Sequence, residues 1–254
     1  MNDYQRYAIY WTPEANSPLF VWGSHWLGWC ADQGIPCPQP RVPGLPRPID
    51  ELTATPRRYG FHATLKPPFR LAEGGSRWSL AEALEDFAGR TPAFSAPRLE
   101  LAALDGFLAL RPSAAAPKLD ALASSCVREF DRFRAPPTRE ELKRRRAAGL
   151  DAVEARHLER WGYPYVMDRF RFHLTLTGSL DAADAERTAQ ALAPQLAALT
   201  ASPLTIREIA LFGDPGNGHP FCLLERYALT GESRSRNVAT LAASGPSLLI
   251  TATS

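Results

Sequence analysis

Two histidines in this sequence stand in matching local settings. One lies in Tyr59-Gly60-Phe61-His62-Ala63-Thr64-Leu65-Lys66, the other in Phe170-Arg171-Phe172-His173-Leu174-Thr175-Leu176-Thr177. Along an extended strand, side chains alternate between faces. His62, Thr64 and Lys66 are thus expected on one face, backed by Tyr59, Phe61, Ala63 and Leu65. Arg171, His173, Thr175 and Thr177 share the polar face of the second strand, backed by Phe170, Phe172, Leu174 and Leu176. A lone strand histidine is usually structural. Two copies on matching strands, each with an apolar back, point to a paired role.

The chemistry that suits such a pair is cleavage of a phosphodiester. A base must activate an oxygen nucleophile, and an acid must protonate the departing oxygen. Two imidazoles near neutral pH supply both. The threonine hydroxyls can donate to the non-bridging oxygens as charge shifts there. No metal or other cofactor is expected, because the motifs carry no carboxylate-rich set beside the histidines.

Further candidates are less specific. Lys66 and Arg171, on the histidine faces, could meet phosphate charge, or could be rim charges paired with acidic neighbours. Tyr59 is expected on the core side, unless the strand end twists it into the cleft. Tyr163 and Tyr165 could stack on a base or sugar, though buried structural tyrosines are commoner. Arg139, Lys143, Arg144, Arg145 and Arg146 form a basic run. Its i,i+4 partners Glu140 and Glu141 favour a solvated, self-neutralised face over a lid that recruits a phosphorylated ligand. His25, His157 and His219 stand alone. No P-loop, dinucleotide fingerprint, G-x-S-x-G or H-E-x-x-H motif is present.

The elements that must position these groups can be read from pattern. Residues 6–11 form a first strand and 20–30 a helix, followed by a proline-rich loop over 35–48. A strand over 58–66 is ended by Pro67-Pro68. A helix over 80–88 has Ser79 and Glu82 as its capping box. A hairpin, 98–104 with 107–111, turns at Asp105-Gly106. Helices follow over 118–133, from Thr138 to Gly149, and from Asp151 to Trp161. The second histidine strand, 170–177, precedes a helix from Asp181 to Leu199 and a pair of strands, 204–212 and 221–229. Each histidine strand is thus followed by a helix and a hairpin, an internal repeat. The pattern predicts one bilobal α+β domain over 1–230. Each lobe would contribute a histidine strand, and a helical insert at about 115–162 would join them. A loosely held tail is expected over 231–254.

The chain has 254 residues, 45% hydrophobic and 22% charged, with a formal net charge of +2. That size accommodates a real core, and so small a charge gives no general case for gripping a long polyanion. The four cysteines, Cys30, Cys37, Cys126 and Cys222, show no zinc-like spacing and are expected to be reduced. No apolar run long enough to span a membrane and no signal-peptide pattern occur, which predicts a cytoplasmic location.

At HAT (His62–Thr64) and HLT (His173–Thr175) the sequence resembles the 2H phosphoesterase superfamily, which is named for two H-x-T/S motifs. The longer phrases YGFHATLKPPF and FRFHLTLTG, with RRRAAGL and WGYPYV between them, are similar to a branch encoded in bacterial phosphonate-utilisation operons. The similarity runs from the first strand to about Thr230. It implies a bilobal fold with two antiparallel-rich sheets, flanked by helices, around a central cleft. It implies that His62 and His173 act as the acid–base pair and that Thr64 and Thr175 hold the phosphate. Activities in the wider superfamily include hydrolysis of cyclic phosphodiesters and ligation of RNA ends. The operon link suggests a phosphorylated ribose, a cyclic phosphate among the options. The reading is a metal-independent phosphoesterase for a small cyclic phosphodiester of a nucleotide or ribose. The alternative is an RNA-binding or RNA-end-processing protein on the same scaffold, which would need a basic track with exposed aromatics. The expected partner is a small phosphorylated substrate in preference to a long nucleic acid or a membrane, and the chain is expected to be monomeric.

Overall fold

The computed structural model describes residues 4–147 and 149–232. In chain order the elements are β1 (Arg6–Trp11), α1 (Pro18–Leu27), β2 (Trp29–Cys30), β3 (Ile35–Pro36), α2 (Ile49–Leu52), α3 (Ala54–Arg57), β4 (Ala63–Phe69), α4 (Arg77–Arg90), β5 (Phe94–Ala96), β6 (Leu99–Leu104), β7 (Phe107–Pro112), α5 (Pro117–Glu129), α6 (Arg139–Arg146), α7 (Ala152–Trp161), β8 (Leu174–Thr175), α8 (Ala182–Leu199), β9 (Leu204–Ile206), β10 (Glu208–Asp214) and β11 (Cys222–Ala228). The architecture is α+β with antiparallel sheets. Among the described residues no helix is long and apolar enough to cross a membrane.

Two sheets matter for the site. One has the strand order β11-β10-β1-β4, the other β6-β7-β8. The sequence repeat predicts that each histidine strand belongs with the hairpin that follows it. The chain instead exchanges the hairpins. The His62 strand pairs with β1, in one sheet with the C-terminal pair β10-β11. The His173 strand pairs with β7 of the hairpin from the first half. Phe94–Ala96 likewise crosses to Leu204–Ile206. The repeat units are therefore not the lobes. A repeat seen in sequence order cannot say which unit's edge each strand will join.

Local signals explain most element ends. Asp105 (φ 44°) and Gly106 (φ 91°) both adopt positive φ, the conformation a two-residue hairpin turn demands. Thr138 with Glu141, and Asp151 with Glu154, make the expected capping boxes. At α4 the box is Ser76 with Ser79, one turn before the expected pair. The strand β4 also departs from expectation. It starts at Ala63, after a left-handed Gly60 (φ 74°), and runs through Pro67 and Pro68 to Phe69. Those prolines are tolerated because β4 is an edge strand, where missing N–H donors cost no ladder bond on the open side.

One continuous core lies between the sheets and helices and takes in Tyr7, Ile9 and Trp11 from β1. The opposite face of the same strand, with Ala8 and Tyr10, joins Ala31, Ala210, Phe212 and Phe221 in a second, smaller cluster. The second cluster lies beneath His62. All four cysteines are free thiols. Of the expected tail, Gly231 is tied by its N–H to the Thr91 carbonyl at 3.1 Å; residues 233–254 lie outside the described residues.

Candidate active site

His62 is held from four directions. The chain leaves α3 through Gly60, whose carbonyl accepts from His62 Nδ1 at 2.9 Å. A Cβ on Gly60 would sit 2.8 Å from Ala31 Cβ, so this turn requires glycine for space as well as for its positive φ. Phe61 lies flat against α1 at Gly23, where a Cβ would fall 2.2 Å from the ring. Thr12 Oγ1 donates to the Phe61 carbonyl at 2.8 Å. The imidazole stacks on Tyr10, with ring centroids 3.8 Å apart and planes inclined by 23°. A carbonyl can only accept, so Nδ1 carries the proton in the neutral ring and Nε2 keeps its lone pair. That lone pair meets the Thr64 hydroxyl at 3.2 Å.

His173 repeats the device. Its Nδ1 donates to the Arg171 carbonyl, also two residues back, at 2.7 Å. This leaves Nε2 as the acceptor here too. Helix α1 and β1 steady this segment as they steady the first. Trp26 Nε1 donates to the Leu176 carbonyl at 2.8 Å, and the Trp11 and Phe172 rings pack at 5.6 Å. The regular ladder here is short. Leu174 and Thr175 pair in register with β7, and Leu176 and Thr177 donate beyond them to the Leu108 carbonyl, so His173 sits just before the ladder, with Phe107 at 5.7 Å between ring centroids.

Burial sets the proton affinity of both rings. It depresses His62 to about 4, with His173 among the lesser contributors and the Gly60 carbonyl opposing. Burial also lowers His173; the Arg171 carbonyl opposes and the Arg171 charge adds to the fall. Each ring is therefore predominantly neutral at pH 7 in the free protein.

A cavity of about 400 Å³ is lined by Thr64, His173, Arg171, Tyr163 and Tyr165, with Asp105, Glu154 and Arg169 also on its wall. It joins the Thr64 hydroxyl, and through it His62 Nε2, to His173. Arg171 stands at the rim in an exposed ion pair with Asp105 at 3.3 Å. Tyr59 lies 6.3 Å from His62 between ring centroids. Thr175 is half-buried and is not among the residues lining the cavity.

Lys66 is not where alternation puts it. Irregular register between β1 and β4 sets Thr64 opposite Tyr10 but Lys66 opposite Ile9. That extra residue turns Lys66 to the core face. It is 1% exposed. Its ammonium donates to the Val127 carbonyl at 3.2 Å and pairs with Asp131 at 3.7 Å. Burial pushes its pKa down to about 8, against the pull of Asp131. Lys66 ties β4 to the insert and does not reach the cavity. Thr177 is likewise structural, accepting from Leu108 N at 3.0 Å. His157 of the insert bonds Asp168, just beyond it, at 3.1 Å, and His25 Nδ1 donates to the Pro38 carbonyl at 2.8 Å.

Tyr10 escaped the sequence reading. The segment RYAIYW has aromatics on both faces, so pattern alone gives no reason to prefer Tyr10 over Tyr7 or Trp11. Only the pairing of β1 with β4 brings Tyr10 beneath His62.

Comparison with known proteins places this chain among relatives. The family described as "Protein of unknown function (DUF1045)" matches residues 64–222. A Janthinobacterium sp. (strain Marseille) protein named "Ribose 1,5-bisphosphate phosphokinase PhnN" is 41% identical over 232 residues, covering 89% of this chain and 51% of that protein. A Laribacter hongkongensis (strain HLHK9) protein of the same name is 35% identical over 234 residues, covering 91% and 54%. The chain thus spans about half the length of the curated relatives it matches. Among solved structures, E. coli LigT in apo form is 18% identical with a TM-score of 0.42, covering 89% of this chain and 98% of that one. LigT complexed with 3'-AMP is 17% identical with a TM-score of 0.40 and the same coverage.

Proposed function

We propose that this chain, which belongs to the DUF1045 family, is a metal-independent phosphoesterase of the 2H type that opens a small cyclic phosphodiester of a nucleotide or ribose. One observation carries the reading. Two imidazoles are each fixed by an Nδ1–H bond to the carbonyl two residues back. Both therefore keep an Nε2 lone pair for chemistry, with the Thr64 hydroxyl and one cavity linking them.

In the proposed cycle His62, the ring with the strongly depressed proton affinity, takes a proton from the attacking water. His173 enters protonated and gives its proton to the leaving oxygen. The phosphodiester's negative charge favours the imidazolium form of His173 on binding. Thr64, on the cavity wall, donates to a non-bridging oxygen, with Thr175 of the second motif assigned as a further donor from behind that wall, and Arg171 supplies positive charge at the rim. Tyr59, Tyr163 and Tyr165 are assigned to the organic part of the substrate. The phosphokinase in the relatives' name is said of proteins about twice this length. This chain has no P-loop sequence, so kinase chemistry is not proposed for it.

The test is a screen of the desalted protein, with and without EDTA, against nucleoside 2′,3′-cyclic phosphates and cyclic ribose phosphates, with product regiochemistry read by phosphorus NMR. Turnover that survives EDTA and vanishes in both His62→Ala and His173→Ala is expected. Turnover that EDTA abolishes and Mn²⁺ or Zn²⁺ restores would end the metal-independent mechanism.

A further inference from the structure

Of the five basic residues on α6, one behaves differently. Arg146 pairs with Glu159 at 3.2 Å on the surface, and Lys143 and Arg144 are exposed. Arg145 is half-buried and turned inward, its guanidinium carbon 4.6 Å from the centroid of the Tyr163 ring. Among the described residues it makes no ion pair within 4.0 Å. A guanidinium packed on an aromatic face keeps N–H donors at its edge for a planar or tetrahedral anion.

What lies below Arg145 suits an anion too. Tyr163 lines the cavity beside Thr64 and His173. Its phenol, raised first by burial, feels Arg145, Tyr165 and Tyr59. Tyr10, stacked on His62, is 1% exposed. After burial, the largest influences on its phenol are Tyr59 and Tyr163, and Arg6 follows. The Arg145 guanidinium thus sits over a phenol that is itself on the cavity wall. Phenol O–H and guanidinium N–H are donors, and an oxyanion accepts from both. The positive background is reinforced nearby. Arg6 and Arg58 share the single buried carboxylate of Asp214, so the trio carries one net positive charge.

We propose that Arg145, with the hydroxyl of Tyr163, forms a second anion subsite at the wall of the cavity that holds His173 and Thr64, which takes a phosphate monoester carried by the substrate away from its scissile diester. This deepens the phosphodiesterase reading and rests on it for the location of the scissile group. The basic run then has a purpose, since α6 delivers one arginine onto the Tyr163 ring while its neighbours keep the helix solvated.

The test is calorimetric titration of the full chain with adenosine 2′-phosphate and with adenosine 2′,5′-bisphosphate, neither of which requires turnover. Wild type, Arg145→Gln, Tyr163→Phe and the surface control Arg146→Gln are compared, each checked for a native melting transition. The wild type is expected to bind the bisphosphate at least ~10-fold more tightly than the monophosphate. Arg145→Gln should remove most of that advantage and change monophosphate affinity by less than ~2-fold; Arg146→Gln should change neither. Tyr163→Phe keeps the ring under Arg145 and should lose a smaller part of the advantage. Equal affinity for the two ligands in the wild type, or no binding of either, overturns the subsite. So does an equal loss for both ligands in Arg145→Gln, which would assign the arginine to the scissile phosphate. Turnover of adenosine 2′,3′-cyclic phosphate is followed in parallel. A bisphosphate preference that depends on Arg145, without turnover that depends on His62, would sink the phosphodiesterase reading and leave the subsite standing.

Discussion

Replacing His62 by glutamine removes a titrating group that the fold holds far from its ordinary range. In the unfolded chain this imidazole gains its proton near pH 6.5; in the folded chain burial delays that gain to about 4. The gap corresponds to roughly 3 kcal/mol, since each tenfold change in proton affinity is worth about 1.4 kcal/mol. The sign follows from proton counts. Between pH 6.5 and about 4 the unfolded state binds a proton that the folded state refuses, so stability falls as the pH falls. Above 6.5 neither state is protonated and nothing is lost; below about 4 both are, and the loss levels off. His62→Gln lacks this contribution. Urea unfolding followed by the fluorescence of the six tryptophans should therefore show the wild type losing roughly 3 kcal/mol more than the variant between about pH 7 and about pH 4. His173, also lowered by burial, is present in both proteins and tilts both curves in the same direction. The experiment needs no substrate, so it tests the burial of His62 independently of what the enzyme cleaves. Wild-type and variant curves that run parallel over this window would show that the ring is solvated, and the assignment of His62 as base would lose its physical ground.

Turnover adds a second pH signature: kcat/KM should be bell-shaped and centred below about pH 6.5, rising as His62 loses its proton near 4 and falling as His173 loses its own; the two limbs belong to the pair. A plateau extending to about pH 8 would contradict it. Thr64→Val should reduce kcat by about tenfold, the loss of one charge-assisted hydrogen bond, and Thr175→Val by no more than that; steady-state rates on the best cyclic phosphate check both. Lys66→Met should change kcat by less than ~3-fold, because the ammonium faces Val127 and Asp131 and not the cavity; a KM rise of ~10-fold or more in a stably folded variant would restore Lys66 to the site. Gly60→Ala should destabilise by at least ~1–2 kcal/mol from the left-handed backbone alone, and should lower kcat as the carbonyl that holds His62 Nδ1 shifts; melting temperature and kcat measured together read both.

Local chemistry was legible in the sequence where neighbours a few residues apart decide it. The Asp105-Gly106 turn and the boxes at Thr138 and Asp151 rest on such spacings, and each of these elements forms as expected. The two H-x-T phrases rest on them as well, and each carries its histidine on the same Nδ1 anchor. What the sequence hid depends on partners far along the chain. The irregular register in β4 exists only against β1, and it alone decides that Lys66 points to the core while Thr64 points to the cavity. The role of Tyr10 comes from the same pairing. The inward turn of Arg145, against the outward turn of Arg144 and Arg146, comes from the position of Tyr163. The composition of α6, with charges nearly all round, could not single that residue out.

The exchange of hairpins between the two histidine strands bears on how the molecule comes into being. During synthesis, β1 (already beside β4) and β7 of the β6-β7 hairpin each emerge with an edge whose partner is not yet made, and neither sheet can close until the second half has been made. Arg6 must find Asp214, and Phe94 must find Ile206. Such distant pairings fold slowly, because the chain entropy of closing long loops is lost before the contacts compensate for it. Cutting the chain within the insert would therefore yield two fragments, each with one histidine of the pair and neither with a complete copy of either sheet that carries a histidine strand. Mixed together, they could regain a common cleft only by binding each other, so recovered activity would rise with the product of their concentrations.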